Sequence, residues 1–316
     1  MLQRIPATSP AWMFRLAVLS LIGQAGIMVT GAVVRVTGSG LGCPTWPNCF
    51  PGSLVPVAHP EVAVFHQWVE FGNRLLSGFL VVVAILTFLA ALNVHPRRRR
   101  LTWLALAMPL GVVAQAVIGG FTVLAGLAWW SVMPHFLAST VLVWLAAALV
   151  DEARAGGAVT RVVGRPVRLL TVVSSVVLGA LLIAGTLVTA AGPHAGDAAT
   201  PRLDLGIAAL AQLHADLLFA YLGLLVGLGF TLWAVGAPRP VRRRYVVLVV
   251  VVLAQGALGG IQYGLGVPEV LVTFHVLGAA LTTAAAGSLW SGLTHRAPLP
   301  TEVPSETADR ERTPAH

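Results

Sequence analysis

Long uninterrupted apolar stretches, rather than alternation of apolar and polar positions, dominate this chain. Runs of about 20 apolar residues, the length that crosses a bilayer, recur along most of it. They predict eight helical spans, at 12–34, 66–92, 101–126, 132–150, 168–190, 206–235, 245–265 and 269–292. Polar and turn-forming residues are gathered between the spans, and no remaining segment is long enough for a sizeable soluble domain. The expected fold class is an all-α integral membrane protein.

Composition agrees, with 57% hydrophobic and 10% charged residues. A net charge of +8 would suggest a polyanion partner in a soluble protein. Here the arginines fall in alternate loops: Arg97–Arg100 after the second span, Arg154, Arg161, Arg165 and Arg168 after the fourth, and Arg239 and Arg242–Arg244 after the sixth. The intervening loops carry few, mainly Arg35 and Arg202. This distribution sets orientation and gives no reason to invoke nucleic acid. It puts both termini in the cytoplasm and turns the loops 35–65 and 191–205 outward. The first span runs on without a small-residue cleavage site, so it is read as retained.

An internal repeat organises the spans. VVAQAVIGG at 112–120 is answered by VLAQGALGG at 252–260, and Gln115 to His135 is the same twenty-residue step as Gln255 to His275. Four crossings return a chain to its starting side, so the halves have parallel orientation, and each is expected to form a four-helix bundle. The expected divisions are a cytoplasmic N-terminus (1–11), an N-terminal bundle (12–150), a cytoplasmic linker (151–167), a C-terminal bundle (168–292) and a disordered cytoplasmic tail (293–316), rich in Pro, Thr, Glu and Arg.

Three histidines lie inside spans otherwise too apolar for an ionisable group: His135, His214 and His275. Such residues are costly in lipid and default to a functional reading, and imidazole is a common ligand of heme iron. All three enter within about two turns of the outer end of their span. His214 and His275, on two inward-running helices of one half, suit the two axial positions of one heme. The competing reading, histidines that merely pack, suits a lone residue better than a pair with a repeated counterpart. Stepping back 61 residues from His275 reaches His214, but 62 back from His135 reaches Asn73. Near it lie Glu70 and Arg74, spaced to pair on one helix face. They read either as a structural salt bridge or as a propionate contact (Arg74) beside a proton-handling group (Glu70). His66 lies on the same stripe, seven residues before Asn73, and is a candidate ligand or proton-handling residue. Asp216 is a weaker candidate, stabilising a neighbour.

The only two cysteines, Cys43 and Cys49, stand in the first outer loop within GCPTWPNCFPG. On an oxidising face they are placed to form a disulfide, whether staple or redox participant. GSGLG in the same loop lacks the strand-turn-helix context of a nucleotide site, and its glycines are read as permitting tight turns.

GAVVRVTGSGLGCPTWPNC, followed by E-x-x-N-R and by histidines in the fourth, sixth and eighth spans, resembles the heme A synthase family over roughly residues 12–292. The resemblance implies a bacterial cell-membrane enzyme that oxidises a methyl group of heme O to the formyl group of heme A, for terminal oxidase assembly. By the same resemblance His214 and His275 would ligate a heme b cofactor, His135 would ligate the substrate heme, Glu70 would matter for catalysis, and Cys43 and Cys49 would form the outer-loop disulfide. Two departures stand out: Asn73 replaces the usual first histidine, and loop 191–205 lacks the second cysteine pair of some members. The implied partners are a heme O supplier similar to heme O synthase, an electron donor of unspecified identity and the lipid bilayer, with self-association left open. A diheme b-type cytochrome exchanging electrons with quinone is the alternative, and a transporter a more distant one.

Overall fold

The computed structural model describes residues 7–154 and 159–296. Among them are eight helices long and apolar enough to cross a membrane: α1 (Pro10–Val36), α2 (Val64–Leu92), α3 (Arg99–Leu124), α4 (Trp129–Arg154), α5 (Arg165–Ala191), α6 (Ile207–Ala234), α7 (Arg239–Gly264) and α8 (Glu269–Gly292). Each predicted span falls on one of them. The largest discrepancy is the start of α7, which takes in Arg242, Arg243 and Arg244 ahead of the apolar run. A proline in its first turn starts the helix early, a position where the missing N–H costs nothing, and arginine stems can lie along a helix while their heads reach water. At α1 the same start signal is joined by a cap, the Ser9 hydroxyl accepting from the Trp12 N–H at 3.3 Å.

Among the described residues a two-stranded pairing lies outside the helices. Strand β1 (Val159–Arg161) pairs antiparallel with β2 (Thr294–Arg296). The pairing extends past the end of α8 to Arg296, and residues 297–316 of the expected tail lie outside those described. Large apolar side chains cover the outer surface, Phe79, Phe219 and Phe230 among them. That arrangement suits a lipid solvent, where every backbone polar group is satisfied within the helix.

In the N-terminal half α1 packs on α2, α2 on α3, α3 on α4 and α4 on α1, closing a four-helix ring around Met13, Leu80, Leu101, Met108 and Leu149. The C-terminal half repeats the order but not the closure. Helices α5 and α6 form one tight hairpin and α7 and α8 another, while α6 touches α7, and α5 touches α8, only sparsely. Their shared core of Val167, Leu225, Leu232, Leu248 and Leu289 belongs to the arginine-bearing ends and the middle of the helices. The last buried residue of α7 is Val252, and toward the end opposite the arginines α7 buries no further residue.

Helix α8 instead packs against α1 and α4, through Met28, Val143 and Ala280. Gly287 lets it approach α4, since a Cβ there would lie 3.2 Å from the Trp144 ring. At the end opposite the arginine-bearing one the loop 191–205 crosses to the first half: Gly40 N–H donates to Gly196 O at 2.8 Å, and Arg35 donates to His194 O at 2.5 Å and Thr189 O at 3.1 Å. The duplication is visible in the turns as well. Leu127 (φ 59°) and Val267 (φ 64°), at matching places after α3 and α7, both adopt the left-handed conformation that side chains disfavour. Each closes its helix with the same long bond, Leu127 N–H to Thr122 O and Val267 N–H to Gln262 O, both 2.9 Å.

Candidate functional site

The paired histidines come one from each of the two C-terminal hairpins. His214 of α6 and His275 of α8 face each other with ring centroids 6.4 Å apart and ring planes at 64°. Leu181 O lies 3.1 Å from His214 Nδ1. A carbonyl only accepts, so Nδ1 carries the proton and Nε2 presents a lone pair, the tautomer that a ligating histidine needs. His275 Nδ1 is buried without a hydrogen-bond partner among the described residues. Two imidazoles bound on opposite sides of one metal, at roughly 2 Å per bond, place their centroids about 6 Å apart. The pair has the spacing that two axial ligands require.

Each intramembrane histidine rests on a glycine of the neighbouring helix. A Cβ on Gly259 would lie 2.9 Å from His275 Cε1, one on Gly185 3.0 Å from His214 Cε1, and one on Gly119 3.1 Å from His135 Cε1. Normal carbon contacts are about 3.5–4.0 Å, so any side chain at these positions would displace the ring. The repeated glutamines have one role in both halves. Gln115 Nε2 donates to His135 O at 3.1 Å, and Gln255 Nε2 donates to His275 O at 2.8 Å. Gln115 also bonds the Ser139 hydroxyl, which itself donates to His135 O at 3.1 Å.

The N-terminal half differs where its second imidazole would stand. Asn73 Oδ1 accepts from the Thr30 hydroxyl at 2.7 Å, tying α2 to α1, and a Cβ on the adjacent Gly31 would meet nothing within 4 Å. His135 Nδ1 is buried without a partner among the described residues. His66 lies seven residues nearer the N-terminal end of α2 than Asn73, about 10 Å along the axis. Its Nδ1 is 2.9 Å from the Ser39 hydroxyl, which is 2.8 Å from that of Thr37, so the ring belongs to the hydrogen bonding of the first outer loop.

That loop is bound to α2 by the buried carboxylate. Cys43 and Cys49 form a disulfide. Glu70 Oε2 accepts from the Cys43 N–H at 2.7 Å, and Glu70 Oε1 accepts from Arg74 at 2.5 Å. Arg74 also donates to Cys43 O (2.8 Å), Thr45 O (3.1 Å) and Asn48 O (3.2 Å). The guanidinium thus gathers the carbonyls of the disulfide ring, leaving its donors committed to the loop. Gly42 must be glycine because a Cβ there would lie 2.1 Å from His66 O. Trp46, inside the ring, reaches α3, where a Cβ on Gly120 would meet its indole at 2.4 Å. Consecutive glycines of α3 therefore seat His135 and the loop's tryptophan. In the second half Gly259 seats His275, but a Cβ on Gly260 would meet nothing within 4 Å. Asp216 pairs with Gln212 of its own helix at 2.7 Å.

Several of these residues escape a reading of sequence. Two of the three glycine seats, Gly119 and Gly259, were hidden in the repeat itself, four residues after each repeated glutamine in AQAVIGG and AQGALGG, while Gly185 lies outside it. Thr30, Ser39 and the Leu181 carbonyl have no sequence signal, since any helix offers carbonyls and scattered hydroxyls.

Fold and site together define a multi-pass helical membrane protein of two related four-helix halves, one with an opposed imidazole pair and the other with a single imidazole. Residues 14–205 match the family described as cytochrome oxidase assembly protein, and the chain belongs to that family. It is also similar to the heme A synthase of Geobacillus kaustophilus, 30% identical over 109 residues, which are 34% of this chain and 32% of that protein. The heme A synthase of Shouchella clausii is 31% identical over 113 residues, 35% of this chain and 36% of that protein. A protoheme IX farnesyltransferase of Thermus thermophilus is 34% identical over 122 residues, 37% of this chain and 19% of that protein. The matches thus span about a third or less of these relatives' own lengths.

Proposed function

We propose that the chain is a heme A synthase, oxidising one methyl group of heme O to a formyl group. The observation that carries this reading is the chemical inequality of two duplicated sites. One presents opposed imidazoles, His214 and His275, with centroids 6.4 Å apart. The other has His135 alone, with asparagine where the second imidazole would be and a buried carboxylate, Glu70, on the same helix. An opposed imidazole pair would hold a heme suited to electron transfer, and a lone imidazole would suit a heme that is the substrate. A diheme cytochrome would call for two sites of the first kind.

In this reading His214 and His275 hold a heme b, which supplies one-electron chemistry when bound. Their glycine seats and the Leu181 carbonyl fix both rings, so that little reorganisation is needed. His135 holds the substrate heme, oriented through Gln115 and Ser139. The Cys43–Cys49 ring, anchored by Arg74 and with Trp46 against α3, covers the outer end of this site and keeps water from it. Glu70 handles protons at Oε2, the oxygen that accepts from Cys43 N–H. Methyl oxidation would proceed by two hydroxylations at one carbon, each taking one oxygen atom from dioxygen while two electrons and two protons from outside reduce the other to water, and the geminal diol then loses water to leave the aldehyde. The arginine distribution supports cytoplasmic termini, and the membrane in this reading is that of a bacterial cell. The substrate would come from a membrane enzyme that prenylates protoheme, and the electrons from a separate donor.

Extraction of the bound hemes with identification by mass, alongside conversion of heme O in the membrane-embedded protein, tests the proposal. Protoheme together with farnesylated heme, and formation of heme A, are expected. Two protohemes and no conversion would establish the cytochrome instead.

A further inference from the structure

The arginine-bearing face contains a feature that the oxidation does not use. Where α5 begins and α8 ends, a cavity of about 450 Å³ is lined by Arg100, Arg161, Arg165 and Arg168, with Leu169 and Trp290 among its apolar members. Arg100 pairs with Glu152 at 3.5 Å, and that carboxylate is shared with Arg98 at 3.2 Å. Arg161, Arg165 and Arg168 make no ion pair among the described residues. Arg168 Nε is buried with no acceptor among those residues, in a cavity wall already crowded with like charge. Unpaired guanidiniums held together are unfavourable unless an anion joins them.

The apolar part of the wall identifies the kind of anion. Leu169 lies one turn into α5 from Arg165 and is exposed on the lipid-facing surface, as is Trp290 near the end of α8. Tryptophan at this level marks the membrane interface. Arg100 also borders a second cavity, of about 490 Å³, in which Trp103, Leu104 and Leu145 continue down the α3–α4 surface. Guanidiniums above and grooves of apolar side chains below match a phosphodiester with acyl chains, and basic pockets between transmembrane helices are a known way of holding anionic headgroups.

We propose that this cavity is a binding site for an anionic phospholipid of the arginine-side leaflet, with its phosphate between Arg161, Arg165 and Arg168 and an acyl chain along Leu169. Phosphate is the recognised chemistry; the apolar floor is why a lipid rather than free phosphate is the source.

The test is native mass spectrometry of the full chain, released from bilayer discs of phosphatidylcholine containing a minor fraction of diphosphatidylglycerol. Wild type is expected to retain the anionic lipid. Each arginine near an anionic surface contributes about fivefold, so Arg161→Gln/Arg165→Gln/Arg168→Gln should reduce retention on the order of a hundredfold, and Arg168→Gln alone about fivefold. The charge-matched control Arg97→Gln/Arg239→Gln/Arg243→Gln should retain lipid as wild type does. Equal losses in the two triple variants would reduce the effect to nonspecific attraction and overturn the site. Displacement of the lipid by millimolar inorganic phosphate would overturn its lipid character. The carboxylates of residues 297–316 are the rival occupant, and retention that appears only in a chain ending at Arg296 would make them the winner.

Discussion

Gly259→Ala isolates the seating of His275 from every other property of α7. The added Cβ would lie 2.9 Å from His275 Cε1. Carbon atoms settle at about 3.5–4.0 Å, so the ring must retreat by roughly 0.6 Å or more. Coordination distances tolerate about 0.2 Å, a third of that displacement. Forcing an extra methyl into a packed site costs about 1–3 kcal/mol, which weakens heme retention by roughly 5- to 150-fold. The effect on the helix has the opposite sign, because alanine in place of glycine favours a helix by up to about 1 kcal/mol. The variant should therefore melt no earlier as an apoprotein while losing its low-spin b-type spectrum. Gly260→Ala is the matched control, one residue along, where a Cβ meets nothing within 4 Å. Heme content by pyridine hemochrome and the low-spin signal by electron paramagnetic resonance would be measured in both. Equal, wild-type-like heme in the two variants would refute the seating argument and, with it, His275 as a tightly held ligand.

Three other outcomes follow from the same geometry. Asn73→His combined with Thr30→Ala restores an imidazole and removes the hydroxyl tied to Asn73, and should add a second low-spin signal while suppressing heme O oxidation; an unchanged spectrum would separate Asn73 from the heme site. Arg74→Lys replaces a fork serving Glu70 and several loop carbonyls with a point charge, and heme O conversion should fall at least tenfold with the C-terminal low-spin spectrum intact, so loss of both would mark a general folding defect. Cys43→Ser/Cys49→Ser opens a ring of sequence separation 6, which by loop entropy contributes about 2 kcal/mol, and should make the first outer loop susceptible to protease while α2 stays protected; unchanged cleavage in the two proteins would show that Arg74 and Glu70 suffice.

The spans, their number and the duplication were legible because bilayer thickness imposes a length on every helix and the AQ–GG motif recurs at a fixed distance from a histidine. The pairing of His214 with His275 was legible for the same reason, since equal depth on helices running the same way brings residues to one level. The unequal closure of the halves was not. It depends on which faces of α5 and α8 are smooth enough to pack, and apolar residues facing lipid and apolar residues facing a helix look alike in sequence. Arg74 shows a second limit. Its spacing from Glu70 announces the ion pair, but the carbonyls of Cys43, Thr45 and Asn48 that absorb its remaining donors come from a loop whose path has no periodicity.

The position of α8 has a consequence for how such a duplicated chain can change. It delivers His275 to one site from its outer end while its flank is wedged between α1 and α4 of the other half. A chimera made of two copies of residues 12–150 would have a hydropathy profile much like that of the parent, with eight spans and parallel halves. It would also shut both rings, and each would carry the lone imidazole of His135 across from Asn73, with no opposed pair. What distinguishes the halves is thus a matter of allegiance: a helix held at once by its own hairpin partner α7 and by its neighbour's bundle, so that exchanging it for its twin alters both halves together.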